Sequence, residues 1–410
     1  MKVLHILSQT PDFTGSGKYV LEMIDQSRKQ GNENFLVAGT PCDFDLPNNV
    51  LAPEKCLFVR FGHDLDFPIV GMSDAMPYTS TVCSTLTADQ IENYRKAFRR
   101  VIAQAVKDFS PDVIHTNHLW MVSAVTREAA PGIPVVTTCH GTCLRQHKLC
   151  PDLGRSLIKN LSGIDRIIAL FEDQKAEIQE LLNFPAERIS MISGGFNNQC
   201  FFHEQEIATP DTVQLLYAGK LNVSKGVPWL LRSLQSIKDC NFHLHMAGGG
   251  SGPEKELCLK LAASLGDRVT VHGILSHQEL GRLMRLAHIF ILPSFFEGLP
   301  LVLLEAMACG CRIITTDLPG ARKLFTPPHP TMVRMIELPP LKTVDRPHPE
   351  DEPELEKRLA GIILEGLADV AGGAAPDTDY IRSTSEPYTW ETIFSRVQDE
   401  YLKALNGRAD

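Results

Sequence analysis

Short apolar runs alternate with segments of helical spacing along most of the chain. In the first half, residues 3–7, 34–39, 112–115, 135–139 and 166–170 read as buried strands. Apolar positions spaced every three or four residues predict helices over 18–29 and 88–109. Residues 40–86 have weak periodicity and many turn formers, so they are expected to be irregular. The second half repeats the pattern, with strands expected at 213–217, 242–246, 269–271, 288–292 and 312–316. A helix is predicted over 301–309, with Pro300 at its first position and Gly310 as its stop. Residues 327–352 are rich in proline and acids and read as an irregular connection, and 388–404 as a last helix. Strands alternating with helices imply parallel sheets covered on both faces. Two such series predict two doubly wound α/β domains, residues 1–198 and 199–387, with the helix of 388–410 packing on either one. Ligands of such sheets bind at the carboxyl ends of the strands, so a shared cleft is expected.

Length supports the division, because 410 residues exceed what one core organises. A formal charge of -9 argues against a general nucleic-acid binder, which carries a basic footprint. No apolar run reaches the roughly 20 residues of a membrane span. The start, Lys2-Val-Leu-His-Ile-Leu, is too short and polar for a signal peptide and reads as a strand. Eleven scattered cysteines suggest reduced thiols, and with them a cytoplasmic location, peripheral at most to a membrane.

The densest chemical signal is Glu297-Gly-Leu-Pro-Leu-Val-Leu-Leu-Glu305. One carboxylate falls on a strand-to-helix turn and the other about a turn inside the helix. The helix start attracts anions through its unpaired N–H groups and macrodipole. The segment is then either a phosphate seat flanked by hydroxyl-binding acids, which suits a nucleotide sugar, or a capped helix with a solvated glutamate. Tyr217-Ala-Gly219-Lys220-Leu-Asn-Val-Ser-Lys225-Gly226 is the second signal. Its strand delivers two lysines to a turn and a helix start, where they could neutralise a departing diphosphate. Two surface lysines on a loop are the plain alternative.

Weaker features accompany these two. Gly248 and Gly249 follow a strand, and glycines there let backbone approach a ligand. Thr14-Gly15-Ser16-Gly17 lacks both the dinucleotide fingerprint and the P-loop pattern, which disfavours NAD and ATP readings. His140 follows a strand and either faces a ligand or is a satisfied structural histidine. No Ser-His-Asp pattern with a nucleophile elbow occurs. Cys139, His140, Cys143, His147 and Cys150 lack the paired spacing of common zinc sites, and a metal there is the less favoured reading. The triplets Asp43-Phe-Asp45 and Asp64-Leu-Asp66 follow no clear strand and read as chance loop acids. Arg95, Lys96, Arg99, Arg100 and Lys107 form one helical face, read first as solvated and second as a surface for an acidic acceptor or membrane.

Taken in order, these motifs resemble the retaining glycosyltransferases of family 4, over residues 3–325. Glu297 to Glu305 looks like that family's E-x7-E signature. Lys220 and Lys225, each beside a glycine, resemble its diphosphate-binding pair, with lysine at 220 where arginine is usual; that keeps charge but loses bidentate geometry. Gly248 and Gly249 resemble its post-strand glycines, and His272-Gly273 the segment near the nucleobase. His140-Gly141 matches its sugar-facing histidine, and Gly15 and Gly17 its first-domain glycine loop. Ile192-Ser-Gly-Gly195-Phe-Asn197 is similar to the segment that closes the first domain, and Tyr388-Thr-Trp390 to the start of a last helix that crosses back onto that domain. Relatives often carry a further glutamate where this chain reads Asp317-Leu-Pro-Gly320-Ala-Arg322.

The resemblance implies the GT-B fold, two Rossmann-like domains with an interdomain cleft. It implies retaining, metal-independent transfer of a hexose-type sugar from a nucleotide diphosphate-sugar to a carbohydrate or lipid-linked acceptor, in glycan, glycolipid or polysaccharide biosynthesis. No cofactor beyond the donor is expected. Glu297 would hold donor-sugar hydroxyls, Glu305 the ribose, and Lys220 and Lys225 the diphosphate. Gly298, Leu299, Pro300 and Leu301 would line the phosphate, and His140 would touch the sugar. The alternatives are a phosphorylase or epimerase on the same fold, or a non-catalytic subunit that only binds the nucleotide sugar.

Overall fold

A computed structural model describes residues 1–11, 14–47, 50–73, 76, 78–204 and 211–407. The chain divides into two compact units, Met1–Gly194 with Trp390–Asp410, and Gly195–Thr389.

The first unit is built on a seven-stranded sheet of β1 (Lys2–Leu7), β2 (Glu33–Pro41), β3 (Cys56–Phe61), β4 (Val113–Asn117), β5 (Val135–Cys139), β6 (Arg166–Ala169) and β7 (Ile189–Met191). Its order is β3-β2-β1-β4-β5-β6-β7, and every pair is parallel. β1, β2, β4 and β5 are buried almost throughout, as strands covered on both faces must be. β3 lies inside the segment expected to be irregular. It is an edge strand of mixed burial, and pairing with β2 defines it where local pattern does not.

The first helix starts at Gly15, ahead of the expected residue 18. Thr14 caps it, its hydroxyl oxygen accepting the Gly17 N–H at 3.0 Å, so the glycines are helix and not loop. The helix Ala88–Phe109 is closed at its start by a capping box of Thr87 and Gln90. Four of its five basic side chains are paired within the unit: Arg95 and Arg99 with Glu128, Lys96 with Glu92, and Arg100 with Asp64. Asp64 also accepts the Arg60 N–H at 2.8 Å, so it closes a turn after β3.

The last helix, Trp390–Asn406, completes this unit. Ile393, Phe394, Val397 and Tyr401 bury against Val3, Tyr19, Met23, Val113, Val136 and Ile168. Tyr401 shares a 2.7 Å hydrogen bond with Nδ1 of His115 on β4, and Arg166 on β6 pairs with the buried Glu400.

The second unit carries β8 (Val213–Ala218), β9 (Phe242–Ala247), β10 (Val269–Gly273), β11 (Ile289–Leu292), β12 (Arg312–Thr316) and β13 (Val333–Ile336). The order is β10-β9-β8-β11-β12-β13, again all parallel. β13 arises in the stretch expected to be an irregular connection; like β3 it is an edge strand that exists through its partner, here β12. The second unit begins slightly before residue 199 because the buried Phe196 belongs to its core and donates its N–H to the Tyr388 carbonyl at 3.0 Å.

Candidate functional site

In the second sheet the chain moves outward from β8 to β10, returns beside β8 as β11, and moves outward the other way. The carboxyl ends of β8 and β11 therefore flank the reversal point, where open α/β sheets leave a crevice for ligands. A cavity of about 440 Å³ opens there. Its lining includes Gly219, Lys225, Gly248, Ile274, Glu297 and Leu299.

Three backbone hydrogen bonds tie the loops at its floor. Gly219 N–H donates to Ala247 O at 3.0 Å, Leu221 N–H to Gly249 O at 2.8 Å, and Gly248 N–H to Gly273 O at 2.7 Å. Gly248 has φ +135, and a Cβ there would stand 1.8 Å from the Gly219 carbonyl oxygen. Gly226, with φ +69, caps the helix Val227–Ser236, and a Cβ on it would meet Pro293 O at 1.9 Å. Neither backbone path admits a side chain.

Lys225 and Glu297 meet in this cavity. Lys225 Nζ lies 2.7 Å from Glu297 Oε1 and 3.4 Å from the Phe296 carbonyl oxygen. Asn222 sets the lysine's backbone, its side-chain oxygen accepting the Lys225 N–H at 3.0 Å. Ser294 donates its hydroxyl to the same Oε1 at 2.7 Å. Ser294 escaped the sequence reading; the trace it leaves is the S-x-x-E spacing, which elsewhere marks reciprocal caps.

The other expected residues scatter around this pair. Leu299, Pro300 and Leu301 line the cavity. Pro300 is the N-cap of Leu301–Ala308 and not its first residue, and the Leu301 N–H is turned onto Leu299 O at 3.0 Å. Of the expected backbone donors from 298 to 301, those two positions drop out. Gly298 is held from below, because a Cβ on Gly320 would lie 1.8 Å from its carbonyl oxygen. The Asp317–Arg322 segment thus supports the loop, with Asp317 paired to Arg322 at 2.9 Å. Glu305 is partly buried in the second turn of its helix and is not part of the cavity lining.

Lys220 is exposed and also outside the lining; its carbonyl takes the hydroxyl of the buried Tyr217 at 2.7 Å. A Cβ on Gly219 would meet that hydroxyl at 2.7 Å. Burial first, then the nearby Glu297 carboxylate, push the Tyr217 phenol well above its ordinary range, so it stays a donor. Gly249 faces the exposed Ile274, 3.0 Å from its would-be Cβ. The His272 imidazole turns onto His245, at 3.0 Å between nitrogens, and from this segment Ile274 and Leu275 line the cavity while His272 and Gly273 do not.

Gly15, Gly17 and His140 belong to the first unit, and they gather at its own reversal point between β1 and β4. His140 Nε2 donates to the side-chain oxygen of the fully buried Asn117 at 3.0 Å, which leaves Nδ1 as an acceptor. Burial lowers its pKa to about 4, so the ring is neutral at ordinary pH. Its flanks are Tyr19 and His118, with ring centroids at 5.2 and 4.9 Å. His118 itself sits at φ +77, a strained setting for a non-glycine residue. It shares a hydrogen bond with Ser16 at 3.0 Å.

The cysteine cluster is buried and engaged. Cys143 Sγ lies 3.6 Å from His118 Nδ1, Cys150 contacts Gln146, and burial drives the Cys139 thiol well above its ordinary value. Among the described residues no three His, Cys, Asp or Glu side chains are grouped to hold a metal ion.

Comparison with known proteins bears on the fold and the family. Two family models match in tandem, Glycosyltransferase Family 4 on residues 13–199 and Glycosyl transferases group 1 on residues 200–330. An α-D-kanosaminyltransferase of Streptomyces kanamyceticus is 26% identical over 213 residues, 47% of this chain and 53% of that one. A D-inositol 3-phosphate glycosyltransferase of Pseudarthrobacter chlorophenolicus is 27% identical over 238 residues, 52% of this chain and 56% of the relative. The chain spans little more than half the length of these curated relatives. Among solved structures, sucrose-phosphate synthase from Thermosynechococcus elongatus superposes with a TM-score of 0.65 at 18% identity, over 99% of this chain and 100% of that one. HepE from Anabaena, in complex with UDP, gives 0.65 at 16% identity over 97% and 99%. With two adjoining family matches and two parallel α/β sheets of GT-B type, the chain belongs to the group 1 glycosyltransferases.

Proposed function

We infer that this protein transfers a hexose-type sugar from a nucleotide diphosphate-sugar to a carbohydrate or lipid-linked acceptor, with retention at the anomeric carbon and without a metal ion. The observation that carries this reading is the Lys225–Glu297 pair inside a cavity at the reversal point of the second sheet. An ammonium and a carboxylate side by side match a ligand that joins a diphosphate to a polyol. Lys225 would stabilise charge that builds on the leaving diphosphate, and Glu297 would accept hydroxyls of the donor sugar. Gly219 and Gly248 leave room for phosphate, and Ile274 and Leu275 offer an apolar wall for the base. Lys220 and Glu305, outside the lining, keep their proposed roles toward diphosphate and ribose only if they turn inward on binding. His140, neutral and with Nδ1 left as an acceptor, suits a sugar hydroxyl. The departing phosphate would take the acceptor's proton, so no separate base is required. HepE, of similar fold, was solved with UDP and with UDP-glucose, which supports a nucleotide diphosphate as ligand.

Thermal shift with UDP, GDP and ADP tests the seat. A ligand at 100 times its Kd should stabilise by about 2.7 kcal/mol. Lys225→Ala should lower sugar transfer by on the order of 10²-fold, the worth of one electrostatic contact to a developing charge. Undiminished turnover in that variant would remove the lysine from the mechanism, and absence of any nucleotide effect would end the reading.

A further inference from the structure

Both donors to Glu297 converge on one oxygen. Lys225 Nζ and Ser294 Oγ each lie 2.7 Å from Oε1. The ammonium is therefore already neutralised before any phosphate arrives, and a diphosphate must win it from the carboxylate. Once the lysine leaves, Glu297 has lost one of two anchors, and it stands on a loop outside any helix or strand. The second anchor does not move. Ser294 is fully buried at the end of β11, and its carbonyl receives the Thr316 hydroxyl at 2.5 Å. A buried hydroxyl has no water to turn to, so its single proton stays on Oε1.

We propose that Ser294 is a positioning residue that holds Glu297 while Lys225 changes partner from carboxylate to diphosphate. The inference rests on the donor-site reading above. Oε1 stays fixed by the serine, and Oε2 faces the donor sugar. Glu297 then has two effects of opposite sign: it grips the sugar, and it competes with the diphosphate for the lysine. Release of the nucleoside diphosphate is helped by the same carboxylate that held the donor.

The test uses the full chain, with the nucleoside diphosphate selected by thermal shift, titration calorimetry, and transfer kinetics. Glu297→Gln weakens the competitor, so it should bind the diphosphate roughly two- to fivefold more tightly, the range of a partly exposed ion pair, while losing turnover. Ser294→Ala should lower kcat by about tenfold through a loosened Glu297, with diphosphate affinity little changed. Ser294→Thr, which keeps the hydroxyl, should restore most of it. In the double variant the two losses of turnover should not add, because the serine acts only through the glutamate. A purely structural serine would instead lower melting temperature and diphosphate affinity together. The proposal is overturned if Glu297→Gln binds the diphosphate no better than the parent, or if Ser294→Ala turns over normally. A parent chain that binds none of the three nucleotides overturns the donor-site reading and this inference with it; binding with no gain in Glu297→Gln overturns the inference alone.

Discussion

Gly248→Ala is the sharpest perturbation of the cavity floor. The added Cβ would stand 1.8 Å from the Gly219 carbonyl oxygen, where real contacts stay above 3.0 Å, so the two backbones must part by at least about 1.2 Å (3.0 minus 1.8). Neither atom belongs to a flexible side chain, so no rotamer change relieves the overlap. The φ of +135 adds strain of its own, on the order of 1–3 kcal/mol. Movement at Gly219 passes directly into the loop that carries Lys225, and Gly248 N–H also holds Gly273 O at 2.7 Å. A misplacement of about 1 Å at a reacting centre costs on the order of 10²-fold in rate. Turnover should fall by at least that much, with weaker nucleotide binding by calorimetry. Gly252→Ala is the control. It has φ +72 but nothing within 4 Å of the new Cβ, so it strains the chain without pushing a neighbour. Urea unfolding of both variants separates lost stability from lost placement. If Gly248→Ala matches Gly252→Ala in nucleotide affinity and rate, the close approach does not shape the site and the argument fails.

Two further outcomes are expected. Glu400→Ala should destabilise the first unit by about 3 kcal/mol, because Arg166 is left with 13% exposure and no carboxylate. Burial raises the Glu400 pKa, but bonds from Lys403, Arg166 and Ser190 outweigh it, and the net shift is downward from 4.5. Its contribution is therefore complete above 4.5 and lost as pH falls through the depressed folded value, so the gap between parent and variant in urea midpoint should close in acid. A gap that stays constant into acid would exclude this ion pair as its source. Transfer should also survive EDTA; loss of activity restored by manganese or zinc would redirect attention to the Asp43–Asp45 and Asp64–Asp66 triplets or the cysteine cluster.

Residues that act through their own chain neighbourhood were legible in sequence. Lys225 and Glu297 each stand on the loop that leads from an apolar strand to the next helix, and such loops at the carboxyl ends of strands are where α/β sheets present their chemistry. The strands β5 and β12 appear with the bounds that their apolar runs predict. The edge strand β10 was legible, but β3 and β13 were not: their short runs lie among prolines and other turn formers, and pairing with one neighbour makes them. Partners distant in sequence were equally hidden. Nothing local marks Gly320 as the floor beneath Gly298. For His272 the sequence gives the strand position, and the direction of its ring is set by its neighbour His245.

By itself, the sequence determined the alternation of strands and helices, and the residue types that deliver charge to strand ends. Period and composition are properties of consecutive residues, so folding cannot change them. The tertiary structure decided which charges meet: Lys225 with Glu297 across 72 positions, and not Lys220 or Glu305 in the same cavity. It also decided that four of the five basic side chains of the long helix pair within their own unit and that the last helix closes the first unit. Such pairings depend on register and strand order, which arise only when distant segments pack.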